Sequence, residues 1–364
     1  MTLQDAIVVG AGIAGLVCAR RLQAAGYTVC LLEKSRGLGG RLATRRIEGA
    51  SLDHGARFVE PKGEMLQALT QHLVDRDVLT SWQPHTYYLD STGQLNPDPL
   101  APPYYIAPAG MSAIGKALAS GLTVYRQQRA IAIAPTTDHT WRVTTTRTDD
   151  GETQHHSARA LVLAIPAPQI LPLLDPWRSQ AAIATLAQTL AMVEYAPCLT
   201  VMAQYPPQGV DAKTPLPCAP DDPWMIEGHS DTPFLGVTLE SGKRPAPGLN
   251  IVLHSSANFA EHWLDTPNLQ PAGEALLAQA GKLIAPWLAQ PTRWQVHRWR
   301  YARVERPCPD PLPQLTNPAP LVACGDWRGD RQIDTALEAG WEAAAVLNDL
   351  GNGVSLAEFP GGLF

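Results

Sequence analysis

The stretch EKSRGLGGRLATRR, running from Glu33 to Arg46, places one acid, three glycines and four arginines within fourteen positions, directly after an apolar run. Glycine lets a backbone come close to a ligand, and arginine brings a fixed, forked positive charge. Upstream, Gly10, Gly12 and Gly15 form G-x-G-x-x-G, with Glu33 placed 23 residues after the first of them. The first glycine of that pattern permits a tight turn. The second lets a pyrophosphate approach the backbone, and the third lets helix and strand pack closely. A helix starting there offers unpaired N–H groups and a partial positive charge to phosphates. Glu33 can accept hydrogen bonds from both hydroxyls of an adenosine ribose and would repel a 2′-phosphate. An ordinary NAD site has no use for SRGLGGR after that acid. A longer dinucleotide does: Gly39 and Gly40 could cradle its far half, with Arg41 touching phosphate or supporting the loop.

These groups need a frame, and the sequence supplies one. Ala6 to Val9 reads as a buried strand, 14–25 as a helix ended by Gly26, and 27–32 as a second apolar strand. That is a βαβ start, and continuous apolar strands imply a parallel sheet covered on both faces. Further on, 65–79 reads as a helix, 86–95 as a hairpin around DSTG, 111–119 as a helix, and 123–125 and 141–146 as strands. ALVLAIP, 160–166, is a strand stopped by proline. The runs 199–205, 224–228, 234–239 and 251–255 suggest a mixed or antiparallel sheet. An amphipathic helix is expected over 271–288, a strand over RWQVHRWRYA, a short strand in PLVACGDW and a closing helix over 335–350. The expected fold class is α/β: a discontinuous Rossmann-type domain with an inserted mixed-sheet plus helix domain. Residues 1–62, 105–170 and 295–350 would form the first, and 63–104 and 171–294 the second.

The totals fit this layout. With 364 residues the chain exceeds one ordinary core, and 45% hydrophobic with 17% charged content suits a globular protein. A net charge of −6 without a long basic block argues against nucleic acid as a partner. None of the six cysteines (Cys18, Cys30, Cys198, Cys218, Cys308, Cys324) forms C-x-x-C, so a reducing, cytoplasmic setting is expected. No signal peptide, spanning helix or membrane anchor is read. No metal site is expected either; His155–His156 reads as part of a polar turn beside Glu152.

GAGIAG, EKSRGLGGR, DHGARF, PAGM, LVLAIPAP, HRWRYA and ACGDW followed by ALEAGWEAA, in this order, resemble the flavin-dependent amine oxidase superfamily. KSRGLGGR, DHGARF and HRWRYA resemble most its renalase-type branch. The resemblance implies a tightly but noncovalently bound FAD. Gly10, Gly12 and Gly15 would flank its pyrophosphate and Glu33 would take its adenosine ribose, with Ala11, Ile13, Ala14 and Lys34 also among the cofactor-binding residues. Gly39, Gly40 and Arg41 would lie beside the phosphates, and Ala130 beside adenine. Gly55, Ala56 and Arg57 would line the flavin end. Gly325 and Asp326 would meet the ribityl–phosphate region, and Ile333 the pyrimidine edge of the flavin. Cys324 lacks the setting of the flavin-linked cysteine of membrane-bound amine oxidases, so no covalent bond is expected.

Flavin oxidation moves a hydride from a substrate carbon to N5, and the protein must hold the substrate and exclude water. His54, Arg57, Trp299 and Tyr301 are the candidates for that work, with His297 and Trp327 as further groups of aromatic reach. His297 is expected to be a structural histidine. By resemblance the substrate is a small molecule such as a dihydronicotinamide isomer of NAD(P)H, with molecular oxygen as acceptor. An amine, a porphyrinogen or a polyene as substrate, or a flavin-bound redox protein without turnover, are the alternatives.

Overall fold

The computed structural model describes residues 2–206, 222–308, 311–351 and 353–360; Cys218 and the last four residues lie outside them. Five parallel strands form the heart of an eight-stranded sheet: Thr123–Arg126, Val29–Glu33, Gln4–Val9, Thr153–Leu163 and Leu321–Ala323, side by side in that order. Segments from the start, middle and end of the chain thus share one sheet. Gln4–Val9 sits at its centre, and its Ala6, Ile7 and Val8 have no exposed surface. Apolar residues on both faces of a strand are what a doubly covered parallel sheet requires. The helices Ile13–Ala24 and Ile333–Leu350 cover one face through Leu16, Leu22, Leu337 and Ala343. Ala167–Leu174 and Ala181–Ala191 cover the other through Ile170, Leu174, Ile183 and Leu190.

A second, seven-stranded sheet has its own core. It is mixed: His85–Leu89 runs parallel to Trp224–Gly228, and the other neighbours are antiparallel. The long strand Arg293–Arg306 forms one edge and pairs with Glu194–Tyr205. The helix Gln270–Leu283 packs Leu276, Leu277 and Ala280 beneath this sheet, a shorter helix than the spacing predicts, because Pro286 restarts the chain as a separate 3₁₀ turn.

The structure departs from the sequence reading at two places. His155 and His156 belong to the strand Thr153–Leu163 rather than a turn, and His156 is buried opposite Val143. The strand is longer than its apolar half because Gln154, His156 and Ala158 pair with the polar strand Trp141–Arg147. The strand Gln128–Pro135 was not anticipated; its alternation is weak, and pairing with Trp141–Arg147 creates it.

Candidate active site: two glycine loops and a late acid

The first strand ends at Val9 and the first helix begins at Ile13, leaving Gly10 to Gly12 as the turn. Gly10 has φ +103°, which an L side chain rarely adopts. A Cβ on Gly15 would stand 2.0 Å from the Gly10 carbonyl oxygen, so only glycine allows helix and turn to approach this closely. A Cβ on Gly12, by contrast, would meet nothing within 4 Å. Gly12 faces open space beside the helix N-terminus, which is room for a phosphate.

The second glycine loop closes on the first. Gly39 donates its N–H to the Ala11 carbonyl at 2.8 Å, and a Cβ on Gly40 would come within 3.3 Å of Gly12 Cα. Arg41 then pairs in two prongs with Asp326, both at 2.7 Å, and donates from Nη1 to the Tyr301 and Ala302 carbonyls. These contacts let Arg41 support the loop. Tyr195, absent from the sequence reading, donates its hydroxyl to Asp326 Oδ1 at 3.2 Å. Gly325 precedes Asp326, and a Cβ there would lie 2.4 Å from the Trp327 indole nitrogen. Glu33 is buried at the end of its strand; its carboxylate accepts from Ala11 N and Ser35 N, both at 2.8 Å. Ile13 and Ala14 are buried in the first helix. Lys34 donates to Gln169, and Ala130 lies at a shift of register in its strand. Ile333 begins the last helix, tied down where Asp334 accepts the Gly63 N–H at 2.7 Å.

Residues 54–56 run alongside the second loop. His54 N donates to Ala43 O, Ala56 N to Arg41 O, and a Cβ on Gly55 would strike Arg41 O at 1.9 Å. His54 is buried, stacks on Trp299 at 5.4 Å between ring centroids, and meets His297 edge-on at 4.9 Å. Trp299 donates its indole N–H to the His54 carbonyl at 2.8 Å. Burial, aided by His297 and Arg45, pushes His54 down to about 3. Burial with Arg45 and Arg298 pushes His297 down to about 4. Both rings are therefore neutral at neutral pH, and both are feeble bases. His254, also missed, is buried; burial and the neighbouring Arg57 push it down to about 3, and its Nε2 lies 2.9 Å from the Gly55 carbonyl.

Not every candidate joins this group. Tyr301 sits where the ladder between Glu194–Tyr205 and Arg293–Arg306 shifts register, and its ring meets Tyr195 rather than His54 or Trp299. Trp327 lies wholly in the core beneath the parallel sheet, donating to Ile165 O, so it lines no site. Arg57 reaches the seven-stranded sheet instead: its Nη2 is 2.9 Å from Glu227, and a Cβ on Gly236 would lie 2.3 Å from its Nη1. Burial places the Cys324 thiol up at about 12, so it carries no thiolate at neutral pH. Among the described residues, no group of histidine, cysteine and acidic side chains could hold a metal ion, and no helix is long and apolar enough to cross a membrane.

Two family models match the chain: an NAD(P)-binding Rossmann-like domain over residues 8–73, and a flavin containing amine oxidoreductase over residues 100–348. The chain belongs to the flavin containing amine oxidoreductase family, whose members are FAD-dependent oxidoreductases. A putrescine oxidase of Kocuria rosea is 44% identical over 70 residues, which is 19% of this chain and 15% of that protein. An L-amino acid dehydrogenase of Synechocystis is 34% identical over 74 residues, 20% of this chain and 16% of that protein. The aligned stretches thus span under a fifth of these relatives. Among solved structures, wild-type putrescine oxidase bound to putrescine superposes with TM-score 0.66 at 15% identity, covering 94% of this chain and 98% of the other. The cyclohexylamine oxidase from Brevibacterium oxydans gives 0.67 at 15%, covering 96% and 100%. At such identity these likenesses show the fold alone.

Proposed function

We propose that this protein is an FAD-dependent oxidase acting on a small substrate at a carbon next to nitrogen. The carrying observation is the junction of the two glycine loops with the Gly325–Asp326 turn, through Gly39 N to Ala11 O and Arg41 to Asp326. Gly10, Gly12, Gly15, Gly39 and Gly40 would hold the pyrophosphate and Glu33 the adenosine ribose. The open space at Gly12 fits that group. When bound, FAD supplies the hydride acceptor, and molecular oxygen takes the electrons on. The parallel sheet, with the helices Ala167–Leu174, Ala181–Ala191 and Glu64–Val74 packed on it, would carry the cofactor, and the seven-stranded sheet, which the strand Arg293–Arg306 also joins, the substrate side. His54 and Trp299 would form one wall over the reacting atoms, and Arg57 with Glu227 a polar rim.

Within that class the renalase-like reading, oxidation of a dihydronicotinamide isomer of NAD(P)H, is supported by the low basicity of His54 and His297. Loss of hydride from a dihydropyridine leaves an aromatic pyridinium and requires no proton acceptor, whereas a protonated amine must first lose a proton. Oxidation of an amine is the second reading, favoured by the family match and by the names of the relatives. The five described cysteines are all free and buried, which supports a reducing, cytoplasmic setting. Anaerobic bleaching of the bound flavin by dihydronicotinamide isomers and by primary amines and diamines decides between the readings. Bleaching by amines alone removes the renalase-like reading, and bleaching by neither class removes both.

A further inference from the structure

The segment His54–Arg57 is gripped at both ends by four buried charges. The side chains of Asp53, Glu240 and Lys243 have no exposed surface, and that of Arg244 is 6% exposed. Lys243 has three N–H donors and three acceptors: Glu240 Oε1 at 2.6 Å, the Arg57 carbonyl at 2.6 Å and Asp53 Oδ2 at 3.4 Å. Glu240 Oε2 accepts the backbone N–H of Asp53 at 2.9 Å. Arg244 binds Asp53 and Glu240 and donates to the Ser51 and Ala107 carbonyls. Asp53 Oδ1 accepts from Met111 N and Thr44 Oγ1. Two negative and two positive charges cancel, and Arg244 Nε is the one side-chain polar atom of the four residues recorded without a partner.

Burying four charges is costly compared with packing apolar groups of the same volume. What the network secures here is position. Backbone N–H at 53 and backbone C=O at 57 are both bonded to one turn, Glu240 to Arg244, that belongs to the other sheet. We propose that Glu240 and Lys243 are positioning residues, which set the His54–Arg57 segment at the proposed flavin end from a turn of the other sheet. This rests on the function proposed above, but its test does not depend on turnover alone.

The test uses the FAD-loaded protein with Lys243→Met and with the charge-balanced pair Lys243→Met/Glu240→Gln. Hydrogen exchange is read at the amides of residues 54–56, whose bonds run to Ala43 O and Arg41 O, alongside anaerobic flavin bleaching. Each variant should exchange these amides about tenfold faster than wild type, with the strand Gln4–Val9 unchanged. Bleaching at saturating substrate should slow about tenfold, with half-saturation moved less than about twofold. The balanced pair guards against misfolding of the single variant, since it leaves one acid and one cation matched. Wild-type exchange at residues 54–56 in the balanced pair overturns the proposal, as does uniformly faster exchange over the whole chain. If no substrate bleaches the wild type, the proposed function fails while the exchange comparison still decides the role of Lys243.

Discussion

Arg41 and Asp326 are 285 positions apart in the chain and meet in a two-pronged ion pair, Nη1 to Oδ2 and Nη2 to Oδ1, each 2.7 Å long. The pair ties the second glycine loop to the turn after the last parallel strand. Replacing Arg41 by Met leaves the Asp326 carboxylate buried with the Tyr195 hydroxyl as its remaining side-chain partner. The expected loss is about 2 kcal/mol, less than for a fully buried pair because a third of the Arg41 side chain is exposed. Asp326→Asn, which removes the charge and keeps the shape, should cost less. Thermal melts with and without added FAD check both, and the two melting temperatures should separate further on adding FAD if the turn also holds the cofactor.

Gly12 and Gly15 should behave oppositely. Gly15→Ala drives a Cβ to 2.0 Å from a backbone oxygen and should destabilise the fold itself, by about 2 kcal/mol or more. Gly12→Val meets no protein atom at its Cβ and needs no positive φ, so the apoprotein should melt within about 1 kcal/mol of wild type. It should nevertheless lose bound FAD, because the new side chain fills the space beside the helix N-terminus. Flavin absorbance after gel filtration, set beside apoprotein melts, measures the two effects separately.

Acid should unfold this protein through imidazoles that are buried, His54 and His254, or half-buried, His297. His54, His254 and His297 titrate near 3, 3 and 4 in the folded state, below their ordinary value near 6.5. The unfolded chain therefore binds more protons than the folded one below pH 6.5, and stability falls as pH falls from there toward 3. Each unit of separation is worth about 1.4 kcal/mol per group. Above pH 7 these groups contribute no slope. Denaturant midpoints between pH 8 and pH 4 should drop steeply in wild type and less steeply in His254→Asn; equal slopes would exclude His254 as a source.

Arg57 separates retention of the cofactor from use of it. Its guanidinium is engaged with Glu227, and its carbonyl with Lys243. Arg57→Ala keeps the backbone contact and removes the guanidinium from the rim. Anaerobic flavin bleaching should slow about tenfold while FAD content stays near wild type. Equal loss of both would make Arg57 a structural residue.

The sequence alone determined the parallel βαβ start, the two glycine loops with Glu33 between them, and the late Gly325–Asp326 turn. Each is a local pattern: backbone freedom at glycine, apolar runs for buried strands, an acid at a strand end. It also held the family membership, carried by motifs in order along the chain. Tertiary structure alone decided who meets whom. Nothing in the chain pairs Arg41 with Asp326; the fold brings them within hydrogen-bond reach. Trp327 looked like a site aromatic and lies in a core, because one face of a short turn cannot be told from the other without the sheet above it. No local pattern marks Glu240, Lys243 and Arg244, whose partners Asp53 and Arg57 lie about 190 positions away. Charge pairing acts through space over a few ångströms, and no periodicity in the chain records which distant segment folding will bring that close.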